Sequence, residues 1–400
     1  MPDAPKTQNM HQPSGKRLTP TDIAQFIRLG ECPRYLKLRL HERKNGSSFL
    51  REYGVAPQAI PPLLTLSGQR FEVRVERAAR ERFTSLHCGD HAGDEGEEVS
   101  SQRNDNMVVI DHASGLQPGE TLLLFQPRLQ AHIGDWPFVG DVDILRLDRD
   151  SDGDLSALIV DMKASTSAKF EHRLQVAFYH KMLLSILENA GVVVARIKLG
   201  IVYRGAAPGG ITAKIPSEEE AQRAAAWNLL GVPDALLEIV EGAEDYLSEV
   251  EELVVGPEAV IPGIARVRQF ADLPWHLSYR CDGCLYQEFC MRDAFQHDDL
   301  SLIPTLTGSE KRTLHGLDLW TVAEVASTLD ITDEHRPRLM AAEGREVLVR
   351  ALQATSLGPR LHEIVHRAKQ VTRARQREIE KAAQRREQAA QETVSTEVAK

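Results

Sequence analysis

Gly140-Asp141-Val142-Asp143 and Ile159-Val160-Asp161-Met162-Lys163 are the two stretches whose reading decides the fold. Each sets a carboxylate in an apolar, β-branched run, where an unpaired charge is costly to bury. The runs belong to three extended segments, residues 121–132, 136–147 and 155–162, divided by Gly and Asp turns. Asp143 falls inside the second segment and Asp161 near the end of the third. Two carboxylates on neighbouring strands can point into one site and share a hard divalent cation, and Mg²⁺ prefers such oxygen ligands. Lys163, two residues after Asp161, leaves the strand on the same face because side chains alternate. There it can orient or deprotonate a metal-held water and stabilise negative charge developing at phosphorus. Asp141 competes with Asp143, since alternation puts both on one face.

Outward from this centre the pattern changes period. Residues 68–83 read as a helix, with Phe71, Val75, Ala78 and Ala79 at spacings of three and four. Residues 169–188 do the same through Leu174, Ala177, Phe178, Met182 and Leu183, and 196–203 read as a strand. The order helix, three strands, helix, strand predicts an α/β core with a mixed sheet. Upstream, 1–17 is a polar, flexible tail. Helix-capping groups follow at Thr19 and Asp22, and Cys32-Pro33 interrupts the apolar pattern of Ile23, Phe26, Tyr35 and Leu36. Residues 44–62 are a Pro-rich linker and 87–106 an acidic, mobile loop. Downstream, 217–254 is mostly helical, 301–356 holds short helices, and 361–390 is a long charged helix, solvated or bound to a partner. No repeat is evident.

Composition bounds the function. A chain of 400 residues carries about two to three domains. The 48 Lys and Arg against 58 Asp and Glu leave a net charge of −10. That excess opposes non-specific coating of nucleic acid but permits a local basic groove. No apolar run approaches the roughly 18 residues of a membrane span, and 1–17 has no apolar signal core. The expectation is a cytoplasmic chain with no membrane partner, whose five cysteines are thiols or metal ligands rather than disulfides.

Three motifs occur in order: Gly140-x-x-Asp143, Asp161-x-Lys163 and Gln175-x-x-x-Tyr179. Alone, D-x-K is weak and Q-x-x-x-Y is an ordinary amphipathic helix. Together they resemble the PD-(D/E)XK nuclease superfamily in its RecB-like branch. The resemblance implies a restriction-endonuclease-like α/β core, a mixed β-sheet flanked by helices, with a helical C-terminal region. It implies that Asp143, Asp161 and the carbonyl of Met162 ligate Mg²⁺ or Mn²⁺ and that Lys163 is the catalytic lysine. Gln175 and Tyr179, one helical turn apart, support the site or touch DNA. Related enzymes place a metal ligand, usually His, four residues after a glycine in the preceding helix. Here that pair is Gly68 and Glu72. Glu departs from the commonest residue and is a competent hard ligand.

Cys281-x2-Cys284-x5-Cys290 is a compact thiolate cluster, with Cys32 far upstream. Four thiolates suit tetrahedral zinc or an iron–sulfur cluster, and the spacing within the trio does not separate them. The distance from Cys32 to Cys281 fits a simple zinc ribbon poorly. One cysteine before the core and three after it resembles the RecB-like nucleases that carry a 4Fe–4S staple, AddB-type subunits and CRISPR-associated exonucleases among them. Cys88, beside His87 and His91, reads as a stray surface thiol. Leu314-His315-Gly316-Leu317, followed by 321–326, resembles a helix–hairpin–helix, whose backbone amides contact DNA phosphate.

The domains expected are a tail at 1–17, a nuclease domain at 18–295 closed by the cluster, a helical module at 296–358 and a charged helical tail at 359–400. The activity implied by the resemblance is a metal-dependent deoxyribonuclease. A single-strand-preferring exonuclease in repair, recombination or phage defence is its expected form. No G-x-x-x-x-G-K-[ST] phosphate loop is present, so a helicase or ATPase would come from a second chain. A structure-selective or restriction-type endonuclease and a non-catalytic DNA-binding subunit are the alternatives.

Overall fold

The computed structural model describes residues 17–45, 62–88, 106–205, 216–330 and 340–398. The polar tail, the Pro-rich linker and the acidic loop lie almost wholly outside the described residues. Those described divide into two compact units, with the change between Pro274 and Trp275. The nuclease domain expected from sequence runs on to 295, past the cysteine trio.

The first unit opens with helices α1 (Pro20–Arg28) and α2 (Pro33–Asn45). Thr19 and Asp22 cap α1 reciprocally, each side chain accepting the other's backbone N–H. Helix α3 (Pro62–Arg80) follows, then strand β1 (Ser85–His87) and helix α4 (Asn106–Gly115). Strands β2 (Thr121–Phe125), β3 (Arg128–Ile133), β4 (Trp136–Asp141), β5 (Ile144–Arg149) and β6 (Leu155–Lys163) come next. Helix α5 (Phe170–Asn189) crosses to β7 (Arg196–Tyr203). Helix α6 (Pro216–Ala225) runs into a single π turn, then β8 (Leu236–Ile239), α7 (Ala243–Val254) and α8 (Val260–Arg266).

The main sheet has six strands in the order β1-β2-β5-β6-β7-β8. β1 is parallel to β2 and β6 to β7, and the other pairings are antiparallel. This is the mixed sheet flanked by helices that the sequence predicts. Side chains of β6 alternate between two layers. Leu158, Val160 and Met162 pack with Phe71, Val75 and Ala79 of α3, while Asp161 and Lys163 turn to the face of α5.

Two sequence expectations change. Residues 121–132 and 136–147 are extended but not two strands. Each bends at its middle and changes sheet, β2 and β5 lying in the main sheet and β3 and β4 in a separate two-stranded one. Both chains cross at one seam. Gln126, at φ 53°, donates its N–H to Asp143 O at 3.1 Å, and Val142 N–H donates to Pro127 O at 3.0 Å. Left-handed Gln126 and the absent N–H of Pro127 break the ladder there. The stretch 217–254 also holds β8, a four-residue edge strand hidden in a Leu- and Glu-rich run.

The second unit is helical. Its helices are α9 (Gln287–His297), α10 (Gly308–His315), α11 (Val322–Ala326), α12 (Glu346–Gln353) and α13 (Leu361–Val398), with a small β9–β10 pair (Leu329–Asp330, Met340–Ala341). Thr307 with Glu310 and Thr321 with Glu324 form capping boxes on α10 and α11. Helix α13 is not solvated along its whole length, as its charge suggests. Leu361, Ile364, Val365 and Ala368 are buried with Leu314, Val322 and Leu352. Beneath α10 a buried lysine, Lys311, meets Asp299 at 2.7 Å, the carbonyl of Trp275 at 3.0 Å and the Trp275 ring at 4.4 Å.

Candidate active site

Asp161 lies in the middle of the sheet and is 2% exposed. Burying a carboxylate there requires partners. Oδ1 accepts a hydrogen bond from Gln175 Nε2 at 3.0 Å. Oδ2 lies 2.7 Å from Lys163 Nζ as an ion pair, yet it accepts no hydrogen bond of normal geometry. Gln175 closes the triangle, its Oε1 accepting from Lys163 Nζ at 3.3 Å. The glutamine is itself 5% exposed, and its Nε2 is 3.5 Å from Thr21 Oγ1 of α1. One side chain thus orients both the acid and the base of the D-x-K motif.

Asp143 comes from the seam rather than from within a strand. Its Oδ2 accepts the Met162 N–H at 2.5 Å, which brings it beside β6. Asp141 does not share its face. The chain leaves β4 before residue 143, so alternation is interrupted, and Asp141 forms an exposed bidentate pair with Arg128 at 2.8 and 3.0 Å. That bend separates the two acids, which the strand pattern had placed on one face.

Tyr179, one turn beyond Gln175 on α5, holds the approach to the seam. Its hydroxyl donates to Asp141 O at 2.8 Å, and its ring covers Gly140. A Cβ on Gly140 would stand 2.8 Å from Tyr179 Cε1 and 2.9 Å from Pro20 Cδ. The tyrosine is 2% exposed, so its direct contact in this structure is with the backbone of the motif. Gly68 has no such reason, since a Cβ there meets nothing within 4 Å.

The electrostatics are those of a crowded anionic site. Burial and the charge of Asp161 together push the Asp143 carboxyl well above its usual range, against the opposing pull of Lys163 and the Met162 N–H. Burial also raises Glu72, on α3, and Asp161 adds to this while Lys163 works against it. For Lys163 burial disfavours the charge, but Asp161 and Asp143 outweigh it and hold the ammonium above its ordinary value. Glu72, Asp143, Asp161 and Lys163 therefore lie within one another's electrostatic reach. Two features were not legible in the sequence. Helix α1 contributes Thr21 and Pro20. His172 is pushed down to about 4 by burial and by Lys163, Lys169 and Arg173.

Among the described residues no three His, Cys, Asp or Glu side chains converge as a ready metal cage. The donor chemistry nonetheless fits a hard cation. Asp161 Oδ2 is a buried oxygen with only the Lys163 ammonium beside it, and Asp143 and Glu72 are carboxyls raised chiefly by burial, which a bound cation would favour in their charged form.

The cysteines are in no disulfide. In the second unit Cys281 ends a 3₁₀ turn, and its Sγ accepts the Ser278 N–H at 3.5 Å. Gly283, at φ 72°, turns the chain to buried Cys284, and Cys290 lies in the first turns of α9. The hairpin at 314–317 joins α10 to α11 as expected, but Gly316 is right-handed and the left-handed residue is Asp318, at φ 58°.

The sheet thus gathers Asp161 and Lys163 from β6 and Asp143 from the seam beside it. The chain belongs to the PD-(D/E)XK nuclease superfamily, whose family model matches residues 63–291, more than half of its 400 residues. It is accordingly a metal-dependent enzyme that hydrolyses phosphodiester bonds. No curated protein matches the chain. No helix among the described residues is long and apolar enough to cross a membrane.

Proposed function

We propose that this chain is a deoxyribonuclease of the RecB-like branch that cleaves single-stranded DNA from its ends, in repair, recombination or phage defence, alongside a helicase or ATPase on another chain. The observation that carries the catalytic reading is the closed triangle of Asp161, Lys163 and Gln175 beside Asp143. The single-strand preference, the end dependence and the partner rest on motif resemblance alone.

Asp143, Asp161 and Glu72, with the Met162 carbonyl, would hold Mg²⁺ or Mn²⁺. When bound, the cation lowers the pKa of water and offsets charge at the phosphate. Lys163 keeps its proton through its two carboxylate neighbours and offers Nζ–H donors to the oxygen on which charge develops. Gln175 fixes the direction of that donor. Tyr179 holds the backbone from which Asp143 projects. The Cys281–Cys284–Cys290 trio, with Cys32 as the fourth ligand, is proposed to hold a 4Fe–4S cluster. The local support is the tight turn closed by the Cys284 N–H to Cys281 O hydrogen bond, with Cys290 following in the first turns of α9.

The test is digestion of end-labelled single- and double-stranded DNA with Mg²⁺ or Mn²⁺, comparing wild type with Lys163→Ala. Loss of cleavage with DNA binding retained is expected, and full activity in the variant overturns the catalytic assignment. Nicking of end-blocked plasmid would replace the exonuclease reading with an endonuclease one.

A further inference from the structure

We propose that Arg204 is a positioning residue for the metal site, latching helix α3 to the end of strand β7 so that Glu72 is set against Asp161 and Lys163. The inference rests on the assignment of Glu72 as a metal ligand.

Arg204 directly follows Tyr203, the register partner of Lys163 in the β6–β7 ladder. Its backbone N–H donates to Ser165 O at 3.1 Å, tying it to the chain just beyond the catalytic lysine. The side chain reaches the other way. Nη1 donates to Ser67 Oγ at 3.1 Å and Nη2 to Ser67 O at 2.9 Å, both on α3. The guanidinium also lies 5.5 Å from the centroid of the Phe71 ring, next in sequence to Glu72. An exposed arginine ordinarily keeps its rotamer freedom, and removing that freedom costs free energy. Arg204 is exposed and yet is held at three points.

The latch supplies what the packing beneath α3 does not. Phe71, Val75 and Ala79 bury against Val160 and Met162, but apolar burial is non-directional. The Glu76–His87 contact at 2.8 Å ties the C-terminal part of the helix to β1, and the latch does the same for the part that carries Ser67 and Glu72. A planar guanidinium on two acceptors of one residue is directional. Ser67 and Glu72 are five residues apart, about 7.5 Å along the axis, so an error at Ser67 passes to the carboxylate almost undiminished. A ligand must be placed to within about 0.5 Å.

The experiment is Mn²⁺ titration of the full-length chain by calorimetry without DNA, on wild type, Arg204→Met, Arg204→Lys, Glu72→Gln and the Glu72→Gln/Arg204→Met double variant. Unfolding midpoints without metal serve as the control. Arg204→Met is expected to weaken Mn²⁺ binding about 10-fold with its midpoint near wild type. Arg204→Lys should bind as poorly, since it keeps the charge and lacks the fork. The double variant should bind no worse than Glu72→Gln. Ser67→Ala, which removes one acceptor, probes the same link if an Arg204 variant fails to fold, and should also weaken binding. Wild-type binding by Arg204→Met, rescue by lysine, or multiplying losses in the double variant each overturn the proposal. If Glu72→Gln itself binds Mn²⁺ normally, the ligand assignment of Glu72 falls, and this inference with it.

Discussion

The ring of Tyr179 occupies the space that a side chain on Gly140 would need, with 2.8 Å from the missing Cβ to Cε1. The glycine of one motif and the tyrosine of another are therefore halves of a single contact. The ring is 2% exposed and its hydroxyl is held by Asp141 O, so it has little freedom to yield. Gly140→Ala is expected to cost about 1–3 kcal/mol, as overpacking does, and to lower cleavage by displacing the chain ahead of Asp143. Denaturant unfolding beside turnover checks this. A variant of unchanged stability would mean that the contact yields easily.

Gln175 bonds to Asp161 and Lys163 at once. Gln175→Ala should leave a buried Asp161 oxygen unsatisfied, at about 1–3 kcal/mol, and reduce turnover at saturating DNA more than it changes KM. Gln175→Glu keeps the shape but adds a fourth carboxylate. It should bind Mn²⁺ at least as well as wild type while cleaving poorly. Equal activity in both variants would remove Gln175 from the site.

The Asp299–Lys311 pair makes the second unit sensitive to acid. Burial alone would raise the Asp299 carboxyl, but Lys311 and the Ser301 hydrogen bonds outweigh it and hold it below its ordinary value. The unfolded chain takes up this proton near 3.9, before the folded one does. The stabilisation is therefore complete above that pH and is lost as pH falls through the lower folded value. Asp299→Asn strands a buried ammonium and should destabilise by about 3–5 kcal/mol at pH 7. Urea unfolding at pH 7 and pH 3 should show the gap between variant and wild type narrowing in acid. A constant gap would contradict it.

Protein purified without oxygen should be brown and carry about four iron atoms per chain if the cysteines hold a 4Fe–4S cluster. Cys284→Ala should lose both colour and iron. Stoichiometric zinc with no iron would replace the cluster by a zinc site.

The central strands were legible because β6 is apolar from Ala157 to Val160 and turns polar at Asp161 and Lys163. The seam was not. Gln126, Pro127, Val142 and Asp143 look like the interior of long strands, and only tertiary pairing tells a bent strand from a straight one. For the same reason the rule of alternation failed between Asp141 and Asp143, and the structure puts Asp143 beside β6 and Asp141 on Arg128. Helix α13 misled in the opposite way. Its charges are plentiful, yet the four apolar residues at its start suffice to seat it. The part of α1 in the site could not be read at all, because Thr21 and Gln175 are joined only by folding.

The seam has a mechanical meaning. Gly140 sits in the two-stranded sheet, and Asp143 is bonded to β6, inside the six-stranded one. Four residues thus stitch two sheets together, and one stitch carries the Asp143 carboxylate. Tyr179 pins the end of the β3–β4 arm through the Asp141 carbonyl. A shift of that arm would reach Asp143 through only two residues of backbone.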